Sequence, residues 1–324
     1  SKRVVILAYV KMIAVEGKVS LVATDHETTI VVDLDTDLEV IKTGSALLSN
    51  RVYQIVNELS DESVVLSCED NTIKVVGDRA DFKLPTIDAD AFPSPKLWEG
   101  RRYHEIQSGM FREFVARTAY ATDPDSTRFA LGGILFEMSD DEVISVATDG
   151  RRLSRQKGIA KRVDGHETTG ASCIVPPRAL LAMSRVSSSS ETVLMEYRGN
   201  DMFMKSGNVQ ICTRLIEGRY PNWRTVIPDV EKYHDIEIPV GVFDAAIRQA
   251  AITVNKEDRG LRFEFSKDNL RLTATAAEVG NSQVDLPIQS DIDEKIGIRL
   301  DFSYVRDILK ALDPAIKVTV HVLS

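Results

Sequence analysis

Two aspartates end the same short phrase. Leu21-Val22-Ala23-Thr24-Asp25 recurs as Ser145-Val146-Ala147-Thr148-Asp149, and the second copy runs on into Gly150-Arg151-Arg152. Paired carboxylates can act as general acid and base or hold a hard cation, and an Asp-Gly-Arg-Arg run suits phosphate chemistry. A third version, Leu272-Thr273-Ala274-Thr275, has Ala276 where the aspartate would stand, so the phrase survives without its acid. An aspartate capping the turn after a strand explains that pattern better than catalysis does. The five histidines, His26, His104, His166, His234 and His321, show neither ligand spacing nor a partnered cysteine or aspartate signature. Gly132-Gly133 is too little to cradle phosphate, and the chain has no GxxxxGK[ST] or GxGxxG run. The serines at 187–190 read as a flexible turn rather than a nucleophile elbow. The sequence therefore offers no catalytic residue, no metal site and no cofactor site.

Composition narrows the remaining functions. The 324 residues suffice for two or three domains, and 43% hydrophobic with 27% charged residues is ordinary for a globular protein. No apolar run approaches the roughly 18 residues needed to span a bilayer. The start of the chain is basic, then apolar over 4–10, which is short for a signal peptide and lacks a small-residue cleavage site. Cys68, Cys173 and Cys212 are odd in number and dispersed, which argues against a disulfide framework or metal knuckle and for a reducing cytoplasm. A formal net charge of −9 counts against nucleic acid as a partner unless positive charge is gathered on one surface.

The elements that carry these residues also repeat. The offsets of 124 and 127 residues that relate the three phrases align Val10 with Ile134 and Leu261, Met12 with Phe136 and Phe263, and Val19 with Val143 and Leu270. In the second copy the pattern predicts a strand over 103–107 and a helix over 110–121, with Phe111, Phe114, Val115 and Thr118 on one face. Strands over 133–138 and 143–147 follow, joined by the acidic turn 139–142. Pro176-Pro177 opens a second helix at 179–185, and strands over 191–197, 202–206 and 209–215 complete the unit. The third copy predicts helices at 243–254 and 303–312. The first predicts a helix at 45–59 and strands at 64–67 and 72–76, without an equivalent of the opening strand and helix. The third runs out inside the closing sheet, so both ends look cut short. Boundaries near 101 and 230, the second marked by Pro221, Pro228 and the charged stretch 229–235, divide the chain into 1–101, 102–230 and 231–324. Repeats of about 110 residues are whole domains, not the 20–50-residue units of a propeller or solenoid. The fold class is α+β, three tandem copies with antiparallel strands and two helices each.

Several motifs, in order along the whole chain, resemble the bacterial DNA polymerase III β-subunit family, the β sliding clamps. They are Phe82-Lys83-Leu84-Pro85 with Asp90-Ala91-Phe92-Pro93, Leu131-Gly132-Gly133-Ile134-Leu135-Phe136-Glu137, and Val146-Ala147-Thr148-Asp149-Gly150-Arg151-Arg152-Leu153. Gly218-Arg219-Tyr220-Pro221-Asn222-Trp223 and Ser303-Tyr304 before Ile308-Leu309-Lys310-Ala311-Leu312 complete the set. The resemblance implies a head-to-tail homodimer of three-domain subunits, a ring with helices lining the hole and sheets forming the outer wall. It further implies non-specific, topological binding of double-stranded DNA in the service of a replicative polymerase, in the bacterial cytoplasm and at the nucleoid during replication.

The distribution of charge agrees with that expectation. Segment 176–188 contains Arg178 and Arg185 and no acid, 45–57 contains Arg51 and no acid, and 110–121 sets Arg112 and Arg117 against Glu113. Acids crowd the strand turns at 61–62, 140–142 and 291–294. A modestly positive bore attracts phosphates without reading sequence. Solvated helix faces remain the plainer reading of the same arginines. The resemblance offers Lys2, Arg3, Arg128 and Arg178 as DNA contacts.

The resemblance also implies a groove between the second and third domains that takes short hydrophobic-anchored peptides from the polymerase, the clamp loader and other clamp-binding proteins. The matching positions are Leu131, Thr148, Gly150, Arg151, Arg152, Leu153, Pro221, Val226 and Tyr304. Gly150 lets the backbone turn, Leu153 and Val226 supply apolar wall, and Arg152 can donate to a peptide carbonyl or carboxylate. Arg151 stands where many members have histidine, and no counterpart of the family's C-terminal strand with its Met-Pro ending is present up to Ser324. A groove lacking that wall would bind peptide less well. Two other readings stay open: a protein-interaction scaffold that never meets DNA, and a DNA-binding regulator without topological clamping. The second would want a recognition helix or zinc module, and neither is in the sequence.

Overall fold

A computed structural model describes residues 6–34, 38–168, 173–187, 191–228, 233–255, 257–276 and 279–323. The first copy contributes β1 (Val10–Val15), β2 (Lys18–Thr24), β3 (Thr28–Leu34), β4 (Gly44–Leu48), α1 (Asn50–Glu58), β5 (Val65–Glu69), β6 (Thr72–Val76) and β7 (Asp81–Pro85). The second has β8 (Tyr103–Gln107), α2 (Ser108–Thr118), β9 (Ile134–Ser139), β10 (Glu142–Thr148), β11 (Leu153–Ile159), β12 (Lys161–Val163) and β13 (Ile174–Val175). It continues with α3 (Pro177–Val186), β14 (Thr192–Arg198), β15 (Asp201–Ser206) and β16 (Val209–Arg214). The third has β17 (His234–Pro239), α4 (Val240–Ala250), β18 (Gly260–Ser266), β19 (Asn269–Ala276), β20 (Gly280–Pro287), β21 (Ile296–Asp301), α5 (Phe302–Lys310) and β22 (Lys317–Val322).

The repetition read from spacing is a repetition of topology. Four strands recur in one order: β3-β2-β1-β4, then β11-β10-β9-β13, then β20-β19-β18-β21. The aligned residues Val10, Ile134 and Leu261 fall on the equivalent strands β1, β9 and β18. Phe111, Phe114 and Val115, the apolar face expected of α2, are at most 1% exposed. In the third copy Phe243 of α4 meets Phe263 of β18 edge to face, 6.5 Å between centroids, within one core with Ile247, Leu270 and Leu309.

One expected element is different. The stretch 45–59 is not a single helix: β4 occupies its first residues and α1 starts only at Asn50. Ala46, Leu47 and Leu48 favour a helix by intrinsic propensity, but pairing with β1, from Val10 against Leu48 to Ala14 against Gly44, buries all three in the core. Sheet pairing and burial outweigh helix propensities worth about 0.5 kcal/mol per residue.

The chain forms two compact units. One comprises Ser1–Val115, Asp123–Ser145 and Lys157–Arg219, and the other Ala116–Thr122, Val146–Gln156 and Tyr220–Ser324. In the first unit a nine-stranded sheet, β12-β8-β14-β15-β16-β3-β2-β1-β4, runs through two sequence copies without a break. The junction is the antiparallel pair β16 and β3, in register from Val209 against Val32 to Thr213 against Thr28. Asn208 Nδ2 donates to the Asp33 carbonyl at 2.6 Å, and the hydroxyls of Thr28 and Thr213 meet at 3.0 Å. The connector between the copies is tied to the same sheet. Lys96 pairs with Asp201, Trp98 N–H donates to Gln210 Oε1 at 3.3 Å, and Arg198 donates to the Leu97 carbonyl at 3.0 Å.

Two histidines that are 62 positions apart in sequence also meet in this unit, both buried. The Tyr197 N–H donates to His166 Nε2 at 2.8 Å, so that nitrogen is bare. His104 Nε2 faces the Asp140 carbonyl at 2.9 Å and must carry a proton. The remaining bond, 2.7 Å between the two Nδ1 atoms, then runs from His166 to His104. Every nitrogen is satisfied only while both rings are neutral. Burial first, then His104 and Arg162, push His166 down to about 4, and burial with Arg162 lowers His104 against the opposing pull of Asp140 and Asp141. In the unfolded chain both titrate near pH 6.5, about the ordinary value for an imidazole. Between about pH 6.5 and 4 the unfolded state therefore binds more protons, and stability falls as the pH falls, by up to about 1.4 kcal/mol per pH unit for each extra proton. We expect the urea midpoint to drop from pH 7 to pH 5 and His166→Gln to flatten that dependence. An equal slope in wild type and variant would show that the pair is not the cause.

Candidate functional site

The phrase that repeats in sequence folds into the same turn twice. After β10, Asp149 Oδ1 accepts the N–H groups of Arg151 and Arg152 at 2.9 and 3.0 Å. Thr148 Oγ1 accepts from Gly150 N–H at 3.1 Å and donates to the Arg152 carbonyl at 2.6 Å. After β2, Asp25 Oδ1 likewise accepts from Glu27 and Thr28, at 3.1 and 2.7 Å. Both aspartates are turn caps. Gly150 has φ +85°, and its counterpart His26 bears the left-handed conformation at φ +77°, which glycine adopts without strain. No group of three or more potential metal ligands exists among the described residues.

The turn in the second unit also positions Arg152. Its Nε donates to Asp149 Oδ2 at 3.0 Å, Nη1 to Asp307 Oδ2 at 2.8 Å and Nη2 to the Tyr120 carbonyl at 2.6 Å. Its guanidinium carbon lies 4.6 Å from the Tyr304 ring centroid and 5.2 Å from that of Tyr120. Burial works against the charge, but Asp307 and Asp149 outweigh it and hold the proton more tightly than usual. Three segments distant in sequence thus converge on one planar fork. Donation by Arg152 to a peptide would require an exchange of one of these partners.

Of the other residues singled out in the sequence, Thr148 and Tyr304 touch Arg152, and Gly150, Arg151 and Leu153 adjoin it along the chain. Tyr304 is on α5, one turn before Asp307, and its hydroxyl accepts from Arg151 Nη1 at 3.4 Å. Leu153 opens β11, and Val226, 65% exposed, ends the 3-10 turn Trp223–Val226. Pro221 is exposed next to Tyr220, whose buried hydroxyl donates to the Val146 carbonyl at 3.1 Å. Leu131 belongs to the first unit and is only 5% exposed, so it offers little surface. Sequence reasoning missed Tyr120, Asp307, Arg155 and Trp223. Spacing could have found Asp307, because positions i and i+3 share a helix face with Tyr304.

Of the DNA-contact candidates, Arg178 starts α3 with its side chain 87% exposed and sits 3.3 Å from Asp25 Oδ2. So open an ion pair contributes roughly 0–1 kcal/mol and exchanges readily for a phosphate. Arg128 is exposed just before the 3-10 turn Phe129–Gly132. Lys2 and Arg3 lie outside the described residues. Among the described residues no helix is long and apolar enough to cross a membrane.

Comparison with known proteins follows this architecture along the chain. Residues 2–96 match the N-terminal domain of the DNA polymerase III beta subunit, 105–222 its central domain and 224–321 its C-terminal domain. The beta sliding clamp of Staphylococcus epidermidis is 26% identical over 324 residues, covering 95% of this chain and 83% of that protein. The beta sliding clamp of Escherichia coli K12 is 25% identical over 300 residues, covering 92% and 80%. Among solved structures, a Pseudomonas aeruginosa sliding clamp bound to griselimycin superposes with a TM-score of 0.89 at 22% identity, covering 98% of this chain and 85% of that one. The Thermotoga maritima DNA polymerase III beta subunit superposes at 0.85 with 20% identity, covering 98% and 84%.

The Arg152 node makes a stability prediction. Arg152→Ala strands two carboxylates and should cost on the order of 3 kcal/mol, read as a loss of urea midpoint. Asp307→Asn should cost less, and the double variant should fall well short of the sum. Additive losses would show that the two groups do not act as a unit.

Proposed function

The chain belongs to the DNA polymerase III β-subunit family, the bacterial sliding clamps, and we propose how its own residues close the ring, hold DNA and dock partners. The family is a non-enzymatic accessory subunit of the polymerase, and this chain is a DNA sliding clamp that serves processivity. We assign its three clamp domains to 1–101, 102–230 and 231–324. The observation that carries the reading is the edge pairing of β16 with β3, by which one copy completes the sheet of another.

Extending that pairing by equivalence gives the ring contact. β7 stands in the first copy where β16 stands in the second, and β20 stands in the third where β3 stands in the first. In a head-to-tail dimer β7 of one subunit would pair with β20 of its partner, leaving neither edge open. Apolar surface on both sides supports this. A groove of about 630 Å³ beside β7 is lined by Ile55, Leu59, Phe82 and Leu84, with Arg51, Gln54 and Glu58. Next to β20, tied to it by the Ser282 hydroxyl donating to the Ala250 carbonyl at 2.6 Å, stands Ile252, 75% exposed.

DNA would meet the exposed cations of the helices, Arg51, Arg112, Arg178 and Arg185, with Arg128 and, beyond the described residues, Lys2 and Arg3. Such contacts bind duplex without reading bases. Partners would dock by short hydrophobic-anchored motifs on the surface of the second unit, at Thr148, Gly150, Arg151, Arg152, Leu153, Pro221, Val226 and Tyr304. The replicative polymerase and the clamp loader are the partners this groove would serve, in the cytoplasm and at the nucleoid.

Light scattering should give twice the chain mass at micromolar concentration, and Phe82→Asp or Ile252→Asp should give monomers that melt as wild type does. A wild-type monomer, or variants that stay dimeric, would overturn the assigned contact. Arg178→Ala should lower DNA affinity and reduce the slope of log K against log salt by about 1. An unchanged slope removes Arg178 from the DNA surface.

A further inference from the structure

The segment 176–188, which carries α3, contains no acid, yet Arg178 faces one. Its Nη1 stands 3.3 Å from Oδ2 of Asp25, in the turn after β2 of the preceding copy. The two residues are 153 positions apart and belong to the same compact unit. What brings them together is β16. The helix α3 runs against β15 and β16. The turn is held by β16 as well: the Arg214 N–H donates to the Glu27 carbonyl at 2.8 Å, and Thr213 pairs with Thr28.

The two partners differ in freedom. Asp25 is locked, with its N–H donating to the Thr28 carbonyl at 3.1 Å and its Oδ1 accepting from Glu27 and Thr28. Arg178, its side chain 87% exposed, can swing on a long stem. A phosphate drawn to Arg178 therefore meets a fixed like charge beside the cation it seeks, and the repulsion subtracts from the attraction. The meeting of turn and helix recurs at the next junction with the signs exchanged. There Arg152, held by the Asp149 turn of the second copy, pairs with Asp307 on the second helix of the third.

We propose that Asp25 is a built-in competitor for the DNA phosphates that Arg178 meets, so that this contact is made and broken quickly and does not hold the ring in place. This rests on the reading of Arg178 as a DNA contact and adds to it the group that sets the strength of that contact. A ring that holds DNA by closure gains nothing from a firm phosphate contact, which would only oppose sliding. A carboxylate fixed by the backbone supplies the competition at every encounter without a partner protein.

The test is an anisotropy titration of the full chain against a short fluorescein-labelled linear duplex at low salt, with dissociation followed by stopped flow. Asp25→Asn keeps the oxygen that caps the turn and removes the charge. It should bind DNA about threefold tighter and leave it correspondingly more slowly, with the gap narrowing as salt is raised. Asp25→Ser, whose hydroxyl also caps a turn, should do the same, and melting of each variant with the wild type confirms the fold. Glu27→Gln makes the same change of net charge in the same turn and should shift affinity far less. In an Arg178→Ala background Asp25→Asn should have no effect. Equal tightening by Asp25→Asn and Glu27→Gln, or by Asp25→Asn with and without Arg178, would mean a general loss of acid and overturns the proposal. An unchanged affinity in Asp25→Asn, while Arg178→Ala weakens binding, overturns it and leaves Arg178 on the DNA surface. An unchanged affinity in Arg178→Ala overturns the DNA reading of Arg178 and this proposal with it.

Discussion

A strand at the edge of a sheet presents a row of unpaired N–H and C=O groups, and β16 and β3 satisfy each other's across the junction of two sequence copies. Much else follows from that pairing. It fuses two copies into one nine-stranded sheet and holds the threonine pair and Asn208 in place. It also sets a rule: a copy is complete only when the next one lends it a strand. A linear array built on that rule always ends in open edges, and a closed ring does not. The constraint that shapes the local sheet is thus the one that favours encirclement, and encirclement removes the need for tight or sequence-specific contact with DNA.

The repeated turn shows how one local device is put to two uses. In both copies a threonine and an aspartate cap the chain after a strand. In the first, Asp25 Oδ2 faces the exposed Arg178, in an ion pair that water and salt can open. In the second, Asp149 Oδ2 faces Arg152, whose side chain is 19% exposed among Tyr120, Tyr304 and Asp307 and joins a strand end to a helix. The same residue types give a labile surface contact in one setting and a rigid node in the other, and burial decides between them.

What was legible in the sequence was what depends on local periodicity. The alignment of Val10, Ile134 and Leu261 identified equivalent strands, and the spacing of Phe111, Phe114 and Val115 identified the buried face of α2. The reading of Asp25 and Asp149 as turn caps followed from Ala276, which shows that the turn position tolerates loss of the acid. Where a long-range partner decides, the sequence was silent or misleading. Ala46, Leu47 and Leu48 look helical until β1 pairs with them. Nothing in the spacing of His104 and His166 reveals that their rings share a hydrogen bond, nor that Trp223 gathers Arg155 and Arg224. The candidate site residues were named through resemblance to a family, while the contacts that hold them are visible only in three dimensions.

Closure around DNA is a matter of topology, so retention on DNA of different topology reports it. The chain would be loaded onto nicked circular duplex by a bacterial clamp loader, freed of unbound protein by gel filtration, and followed before and after a single restriction cut. A closed ring stays with the circle at moderate salt and is lost soon after the circle is opened, because nothing but closure holds it. Retention that is the same on circular and linear DNA would mean that surface contact, and not encirclement, holds the protein to DNA.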